Sequence, residues 1–413
     1  MVKSLNFERN NIKELLESKK DLRRMFWSNL EDQVKFSVKD FIQQQIDEEF
    51  SVFVGASWYK HAQERCAWRN GYWTRNLDTK YGLIEQLRIP RARKRKHGPS
   101  LTMHFSIFDR WQRFQDDLLE AIVQAYLIGN SSRDVTELVQ QFCGTTCSRE
   151  FVRKLLHNFE NKLQDYLNRP ISHQWPFVFI DGMRIRIKEG LEIKDRVVIW
   201  ALGFDYDGNR SILGFFIAPT ESATAVESLL KDIHRRGLTK PSLIICDEAQ
   251  AIINAAQDVF LHTDIQVCTL HKLKSLSRNL SKNTELPRKK RNQIVKAAAK
   301  IYNAKTKSAA LNRFTRFKKM YCRLAQQPID CFEINFNQTL TFYKYDPNIQ
   351  KSIKTNNIIE RMNRSARYIL RKYLYFHEKH NARMALFTFV CRYEQKYSKS
   401  KDAASLSLLE KVA

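Results

Sequence analysis

Three acidic residues, Asp181, Asp247 and Glu360, lie at positions where their carboxylates could bind metal ions or take part in catalysis. Asp181 directly follows the apolar run of residues 177–180, and Asp247 closes the apolar stretch "LIICD". Glu360 is the single acid in "TNNIIERMNRSAR", a very basic stretch that also carries Arg361, Arg364 and Arg367. If the three acids converge, the sequence predicts a site for divalent cations.

A converged triad would suit the cleavage and joining of phosphodiesters. Both reactions are in-line displacements at phosphorus, which two divalent ions roughly 3.5–4 Å apart can promote. Mg²⁺ or Mn²⁺ takes carboxylate oxygens as ligands. We expect two ions, with Asp181 bridging both and Asp247 and Glu360 each holding one. Taken singly, Asp247 could instead cap the next helix, and Glu360 could pair with Arg364.

The elements around these acids predict how they could meet. From residue 177 onward the patterns read β-β-β-α-β-α-β-α, with a hairpin turn at Asp207-Gly208. This is the strand order of the ribonuclease H-like fold, with Asp181 on its first strand and Asp247 at the end of its fourth. Ligands bind at strand ends in α/β sheets, and Glu360 lies on a later helix that could pack across the sheet.

The region before this core shows patterns typical of nucleic-acid binding. Residues 10–49 predict one long amphipathic helix, for core packing or for dimerisation. Residues 68–96 predict a β-hairpin broken at Asn70-Gly71 and Tyr81-Gly82. Its aromatic residues alternate with cations, so a DNA-binding arm and a solvated tail are both open. The predicted contacts there are Arg91, Arg93, Lys94, Arg95 and Lys96.

Residues 118–165 predict two helices joined by a turn. Ser131 or Ser132 would cap one helix, Gly144 would end it, and Thr146 or Ser148 would begin the next. This is the pattern of a helix-turn-helix, in which Arg149, Arg153 and Lys154 would meet DNA. A helical hairpin without DNA contacts has the same sequence pattern.

Composition agrees with a polyanionic partner. The 413 residues carry a net charge of +26, and double-stranded DNA is the partner that we expect. Eight scattered cysteines do not form a disulfide scaffold. With no signal-peptide pattern and no apolar run long enough for a bilayer, we expect a cytoplasmic protein without membrane contact.

Several motifs resemble the Mutator-type transposases of bacterial insertion sequences. They are "FIDGMRIRI", "PTESATA", "RRGL", "CTLHKLKSLSRNL" and "KTNNIIERMNRSARYILRK", together with the upstream "RNGYWTRNLDTKYG" and "IPRAR". The resemblance covers roughly residues 65–390. It implies an Asp-Asp-Glu triad at Asp181, Asp247 and Glu360, and an α-helical insertion, which residues 272–345 fit. It also implies a copy-out route through a circular intermediate, and a protein that is prokaryotic and nucleoid-associated.

This chain departs from the resemblance at two positions. Glu248 stands where the family usually has glycine after the second Asp, and it could be a substitute ligand or an outer group. Val226 stands near the place of a common tryptophan. Cys268 and His271 form the family's C-x-x-H feature, which could be structural, could shape the DNA path, or could be part of a zinc site needing about four ligands.

The combined prediction is a DNA transposase with five regions. They are a helical, possibly dimerising region (1–60), a DNA-binding region (61–170), the first part of the catalytic core (171–271), the insertion (272–345) and the core's C-terminal part (346–413). Arg361, Arg364, Lys289, Lys290 and Arg291 would contact DNA, and a homodimer would form on it. The alternatives are a structure-selective, metal-dependent nuclease of the same fold and a non-catalytic DNA-binding repressor.

Overall fold

The structure, a computed structural model, describes residues 2–56, 65–94, 98–109, 112–171, 175–283 and 285–397. It divides into one unit containing Met1–Tyr126 and Asn130–Asn158 and a second containing Leu127–Gly129 and Phe159–Leu408. Two of the predicted DNA contacts, Arg95 and Lys96, lie outside the described residues. Among the described residues, no helix is both long enough and apolar enough to cross a bilayer. The five predicted regions stay a prediction.

The first unit begins with the long predicted helix. Helix α1 (Val2–Val54) is longer than the predicted range of residues 10–49. Its C-terminal part buries Ile46 and Phe50 against a β-sheet of three strands. These strands are β1 (Trp68–Thr79), β2 (Gly82–Arg93) and β3 (Ser100–Leu101). The mainly helical N-terminal region therefore also contains a small sheet.

The hairpin is confirmed, but one of its two predicted breaks is wrong. The chain turns where expected, since Thr79 pairs with Gly82 at the end of the antiparallel ladder. At Asn70-Gly71, by contrast, β1 continues through an irregularity in register between Arg69 and Tyr72. A bulge takes up the left-handed Gly71 (φ 69°) without ending the strand.

The predicted helix pair follows the hairpin. Helices α2 (Asp116–Leu127), α3 (Ser132–Cys143) and α4 (Arg149–Asn168) complete this part of the chain. Ser131 caps α3 in a capping box with Asp134, and Gly144 ends it in the left-handed region (φ 60°). The Ser148 hydroxyl then accepts the Phe151 N–H at 3.0 Å, which marks the start of α4. The local signals for both helices are confirmed.

The second unit is built on a five-stranded sheet. Its strands are β4 (Phe177–Glu189), β5 (Glu192–Phe204), β6 (Arg210–Ala218), β7 (Leu243–Cys246) and β8 (Asp264–Val267). The spatial order is β6-β5-β4-β7-β8, with β4, β5 and β6 antiparallel and with β7 and β8 parallel to β4. Helices α5 (Ala223–Arg235), α6 (Gln250–Val259) and α7 (Thr269–Asn283) alternate with the later strands. The predicted series of elements is confirmed.

Helices cover both faces of this sheet. On one face, Ile180 and Ile199 pack in a core with residues of α5 and α6. On the other, Trp200 meets Phe389 with ring centroids 5.8 Å apart. The later helices are α11 (Pro347–Ile353), α12 (Asn357–Leu370) and α13 (Lys379–Tyr397). Because both faces are covered, the start of β4 is a continuous apolar run.

The predicted insertion is helical and has a core of its own. It continues from α7 through α8 (Arg288–Ala299), α9 (Lys307–Tyr321) and α10 (Gln326–Glu333), with 3₁₀ turns at Ile301–Asn303 and Phe336–Lys344. Phe314 and Phe336 stack inside it at 3.9 Å. Buried Gln266 donates to the Thr339 carbonyl at 3.0 Å and accepts from the Phe342 N–H at 2.8 Å, so the insertion covers edge strand β8.

Candidate active site

Asp181 lies on β4, where the strand extends past its neighbour β7. The Gly182 N–H donates to one of its carboxylate oxygens at 2.9 Å, and the Asn363 side-chain amide donates to the other at 2.7 Å. Burial and the nearby Asp247 carboxylate raise the pKa of Asp181 to about 7, although both hydrogen bonds act against the shift. The two acids are therefore electrostatic neighbours.

Asp247 follows β7 at the adjoining strand end. Its Oδ1 accepts a hydrogen bond of 2.7 Å from the side-chain amide of Asn356, which lies directly before α12. Asn356 is fully buried and makes no cap hydrogen bond to its own helix. Helix α6 begins after Ala249 without a side-chain cap, so the structure does not support the alternative that Asp247 is a helix cap.

Glu360 is brought to this strand end by α12. The Nε2 atom of His271 lies 3.3 Å from Glu360 Oε1, and the Lys274 ammonium lies 3.9 Å from the same oxygen. The Nδ1 atom of His271 lies 2.6 Å from Asp247 Oδ1. His271 therefore stands between two of the three predicted acids. Among the described basic residues, His271 and Lys274 contact Glu360, and Arg364 does not.

The spacing of residues at the start of α12 and along it explains how one helix carries Glu360 and also contacts Asp181 and Asp247. Asn356 contacts Asp247, Glu360 contacts His271, and Asn363 contacts Asp181. Steps of three or four residues place side chains on one face of a helix. The sequence analysis missed both asparagines, and their spacing around Glu360 was the available signal.

His271 supplies positive charge inside this group of acids. The adjoining Asp247 carboxylate and the Cys268 thiol raise the pKa of His271 to about 10. The imidazole is therefore protonated at neutral pH, and it offsets the repulsion between Asp247 and Glu360.

A fourth carboxylate near the site was also missed. The Glu221 carboxylate, just before α5, lies so close to Gly182 that a Cβ there would be 3.0–3.1 Å from it. Glu221 is exposed overall, but partial desolvation of its carboxylate, followed by the charge of Asp247, raises its pKa, whereas Arg184 opposes the rise. Two features of the sequence were the available signal: Glu221 is the acid of "PTESATA", and Gly182 directly follows Asp181 on β4.

Comparison with known proteins identifies the family. Residues 9–400 match the family described as "Transposase, Mutator family". The chain belongs to this family.

The relatives of this Mutator-family chain are transposases by name. The transposase for insertion sequence element IS256 in transposon Tn4001 of Staphylococcus aureus is 26% identical, covering 81% of this chain and 85% of that protein. The transposase for IS905 of Lactococcus lactis subsp. lactis (strain IL1403) is 25% identical, covering 93% and 92%. A solved simian T-cell lymphotropic virus intasome covers 43% of this chain and 66% of that one at 14% identity, with a TM-score of 0.17, which is too low to assign a fold.

The two departures from the family pattern have structural explanations in this Mutator-family chain. Glu248 is directed to Lys272, whose fully buried ammonium also donates to the carbonyls of Cys331 and Ile334 at 3.2 and 2.5 Å. Glu248 thus neutralises a buried cation and is not a substitute ligand in this structure. Val226 is a fully buried core residue of α5.

The C-x-x-H pair lies within the site. Ligand atoms of Asp247, Cys268 and His271 all lie within 4.8 Å of one another, the metal-capable group found among the described residues. However, Cys268 Sγ already accepts the Asn356 N–H at 3.3 Å. Three mixed ligands fall short of the four typical of a structural zinc site.

The three predicted carboxylates would suit a hard cation, although Asp181 and Glu360 lie outside the close group of Asp247, Cys268 and His271 found among the described residues. Asp181, Asp247 and Glu360 offer carboxylate oxygens, the ligand type that Mg²⁺ prefers. The side-chain oxygens of Asn356 and Asn363 are buried and have no hydrogen-bond partner in the described part of the chain. They could accept from the water shell that Mg²⁺ retains.

The predicted DNA contacts are widely distributed. Those that are described lie on β2 or just after it, on α4, on α8 and on α12. All except half-buried Arg93 and Arg291 are exposed. Of the aromatic residues in the hairpin, Trp68 and Tyr72 are exposed, and the Arg88 guanidinium lies 5.3 Å from the centroid of the Tyr72 ring. The contact of these basic residues with DNA stays a prediction.

Proposed function

We propose that the chain is a DNA transposase that binds the terminal inverted repeats of its insertion sequence and catalyses metal-dependent cleavage and strand transfer. The proposed catalytic residues are Asp181, Asp247 and Glu360, on a core of ribonuclease H-like fold. Family membership supports the transposase function. The strand order and its mixed antiparallel and parallel pairing support the fold.

One observation carries the assignment of the site. Helix α12 places Glu360 beside His271 and directs Asn356 and Asn363 to Asp247 and Asp181. Asp181 and Asp247, far apart in sequence, thus each accept a hydrogen bond from an asparagine of the segment that carries Glu360. Crowded carboxylates repel one another unless cations neutralise them, which is typical of a metal centre.

Each neighbour has a role in the proposed reaction. Asn363 and the Gly182 N–H orient Asp181, Asn356 orients Asp247, and His271 holds Asp247 beside Glu360. When bound, the ions would supply activation of the attacking oxygen and stabilisation of the leaving oxygen. In cleavage, water attacks phosphorus and a 3′-hydroxyl leaves. In transfer, that 3′-hydroxyl attacks a target phosphodiester and displaces its 3′-oxygen.

We assign recognition of the terminal inverted repeats to the N-terminal half of the chain. The second helix of the pair, α4, exposes Arg149, Arg153 and Lys154, as a recognition helix would. Arg91 and Lys94 are exposed at the end of the hairpin. We infer that the helix reads base edges while the hairpin cations contact phosphates.

The triad is tested with Asp181→Asn, Asp247→Asn and Glu360→Gln in the full chain. Loss of directed electrostatic stabilisation typically reduces a rate on the order of 10²–10³-fold, and we expect at least that loss in Mg²⁺-dependent nicking. Binding of labelled terminal-repeat DNA should change little, because phosphate neutralisation lies elsewhere. Asp258→Asn, at an exposed acid on α6, is the matched control. Full-rate nicking by any triad variant would rule out the assignment.

A strand-transfer assay separates the alternatives. A transposase joins a pre-cut terminal-repeat oligonucleotide to target DNA, whereas a structure-selective nuclease cuts without joining. A repressor binds the ends and does neither. EDTA should abolish both activities, and added Mg²⁺ or Mn²⁺ should restore them.

A further inference from the structure

A basic groove lies beside the candidate active site, within the second unit. Its cavity of about 300 Å³ lies between β4 and the segment that follows α12. Its rim carries one acid, Asp195, and four arginines: Arg184, Arg186, Arg367 and Arg371. We call this feature the arginine groove.

The groove exists because β4 is longer than its neighbour. Strand β7 pairs with β4 only over residues 177–179, whereas β4 continues to Glu189. Further along β4, the segment after α12 pairs with the strand instead of β7. The Phe376 N–H donates to the Arg186 carbonyl at 2.9 Å, and the Phe376 carbonyl accepts from the Lys188 N–H at 2.8 Å. The part of β4 between these two pairings borders the cavity.

The rim is suited to anions. In the part of the chain that the structure describes, none of the four guanidinium groups has a carboxylate within 4.0 Å. Arg371 instead stacks on the Tyr368 ring at 4.1 Å. Guanidinium groups bind phosphate oxygens through paired hydrogen bonds and can stack on planar rings. The four guanidinium groups therefore have, among the described residues, no close ion pair that a phosphodiester would have to displace, although the charge of Arg184 also acts on the Glu221 carboxylate.

The floor is suited to something other than phosphate. Met183, Leu370 and Phe376 line it from the buried core, while half-buried Tyr373 and exposed Leu374 supply its accessible apolar surface. An apolar, aromatic floor has no positive charge for a phosphate, but a nucleobase can stack on it. The volume lies at the lower end of small-ligand sites, about 300–1,000 Å³, and is too small for a duplex.

We propose that the arginine groove binds an unpaired nucleotide of the DNA strand whose scissile phosphate enters the acid site. The base lies on the apolar floor, and its flanking phosphates contact the arginines. This inference rests on the proposed function, because the acid site defines which strand is meant.

Distances along the elements place this nucleotide. Arg184 is three residues beyond Asp181, which is about 10 Å along a strand. Arg367 is seven residues beyond Glu360, which is also about 10 Å along a helix. A strand advances about 3.4 Å per nucleotide in a duplex and further when it is unpaired, so the groove holds a base at most roughly three positions from the scissile phosphate. Taking a base out of a duplex costs a few kcal/mol, so a strand already unpaired there should bind better.

Fluorescence anisotropy with the full chain in EDTA tests the groove without any chemistry. The probes are a terminal-repeat duplex with a five-nucleotide 3′ overhang and the blunt duplex of the same sequence. We expect the wild type to prefer the overhang by about five-fold or more, the value for one stacked base. Arg367→Ala/Arg371→Ala should lose that preference while binding the blunt duplex nearly as before.

Two controls make the outcome decisive. Arg316→Ala/Arg323→Ala removes the same charge from exposed sites in the insertion and should keep the preference. An overhang of five abasic nucleotides keeps the phosphates and should lose the preference; full preference for it would overturn the role of the base. Equal weakening on both duplexes, or no preference in the wild type, would overturn the groove. If the preference is present but no nicking occurs with Mg²⁺, the proposed function fails while the groove stands.

Discussion

At the scale of single residues, the candidate site depends on side chains that hold acids in place. Asn356 stands at the N-cap of α12, yet its Oδ1 makes no cap hydrogen bond, while its Nδ2 donates to Asp247 at 2.7 Å and to the Ile180 carbonyl at 3.5 Å. A helix start that gives up its cap loses roughly 0.5–2 kcal/mol. Residues that break a local rule in this way are commonly found at functional sites.

Gly182 and Glu221 allow a prediction at this scale. A methyl group at Gly182 would press on the Glu221 carboxylate, so Gly182→Ala should displace it. We expect Glu221→Gln and Gly182→Ala each to slow Mg²⁺-dependent nicking by about 10-fold or more, as for groups that support metal ligands. Nicking rates and the Mg²⁺ midpoint are the measurements, with Glu227→Gln on α5 as the control.

A double-mutant cycle distinguishes this coupling from two unrelated defects. If Gly182→Ala acts through Glu221, the variant Gly182→Ala/Glu221→Gln should be no slower than Glu221→Gln alone. Multiplying losses in the double variant would mean that the glycine acts independently of Glu221.

At the scale of elements, the helical insertion is a folded body joined to the sheet by buried polar contacts. Gln266 connects β8 to the second 3₁₀ turn, and Lys272 connects α7 to α10. The Lys272 side chain is fully buried, and burial lowers its pKa although Glu248 acts in the opposite direction. This pair is a structural link between the core and the insertion.

The Lys272–Glu248 pair should matter for stability when one partner is removed. Glu248→Gln leaves a buried ammonium without its counter-charge, which typically costs about 3–5 kcal/mol. Lys272→Met/Glu248→Gln removes both charges and should recover much of that loss. Urea unfolding of the three proteins measures the difference. A single variant as stable as wild type would show that the pair is not needed.

The basic start of α8 carries the second prediction at this scale. Lys289, Lys290 and Arg291 lie on its first turn. If they contact phosphates, replacing all three with Ala should flatten the log–log salt dependence of DNA binding by about 0.9 per lost contact, so by up to ~3. Preference for terminal repeats should persist, because phosphate contacts carry no base information.

The matched control for α8 is Arg316→Ala/Lys319→Ala/Arg323→Ala, which removes three exposed cations from α9 and the turn after it. Its salt slope should stay near that of the wild type. An unchanged slope in the α8 variant would mean that this stretch is only a solvated surface.

At the scale of the whole molecule, the N-terminal part of α1 exposes large apolar side chains. Phe26 and Trp27 are 60% and 59% exposed, and Leu22 and Met25 are similarly open. Leu22 lies three and four residues before Met25 and Phe26, which places these three side chains in a stripe on one face of the helix, and Trp27 borders that stripe. Such a stripe indicates an interface, and we expect a second copy of this chain, because two element ends must be processed together.

Dimerisation through α1 is tested by Phe26→Glu/Trp27→Glu. The charges should prevent apolar packing, so light scattering should change from a dimer for the wild type to a monomer for the variant. Lys19→Glu/Lys20→Glu, at exposed positions on the same helix, is the control. A variant that remains dimeric with both element ends bound would exclude α1 as the interface.

Much of the fold followed from local patterns. β4 spans the predicted run from Phe177 to Glu189, Gly144 ends α3, and the strand and helix order of the core was predictable. These features depend on hydrophobic period, on glycine's left-handed backbone and on capping side chains, each of which acts over a few residues. The Asn70-Gly71 break failed because local chemistry does not distinguish a turn from a bulge.

The environment of the acids was decided only by the tertiary structure. Asn363 reaches Asp181 across 182 residues and Asn356 reaches Asp247 across 109, and no spacing in the chain encodes such pairs. The same holds for His271, which the fold places between Asp247 and Glu360, and for Glu248, which it turns towards Lys272. The sequence alone nominated the three carboxylates from their positions on elements. Which groups surround each carboxylate depends on the packing of α7 and α12 at the end of the sheet, because electrostatics acts through space and not along the chain.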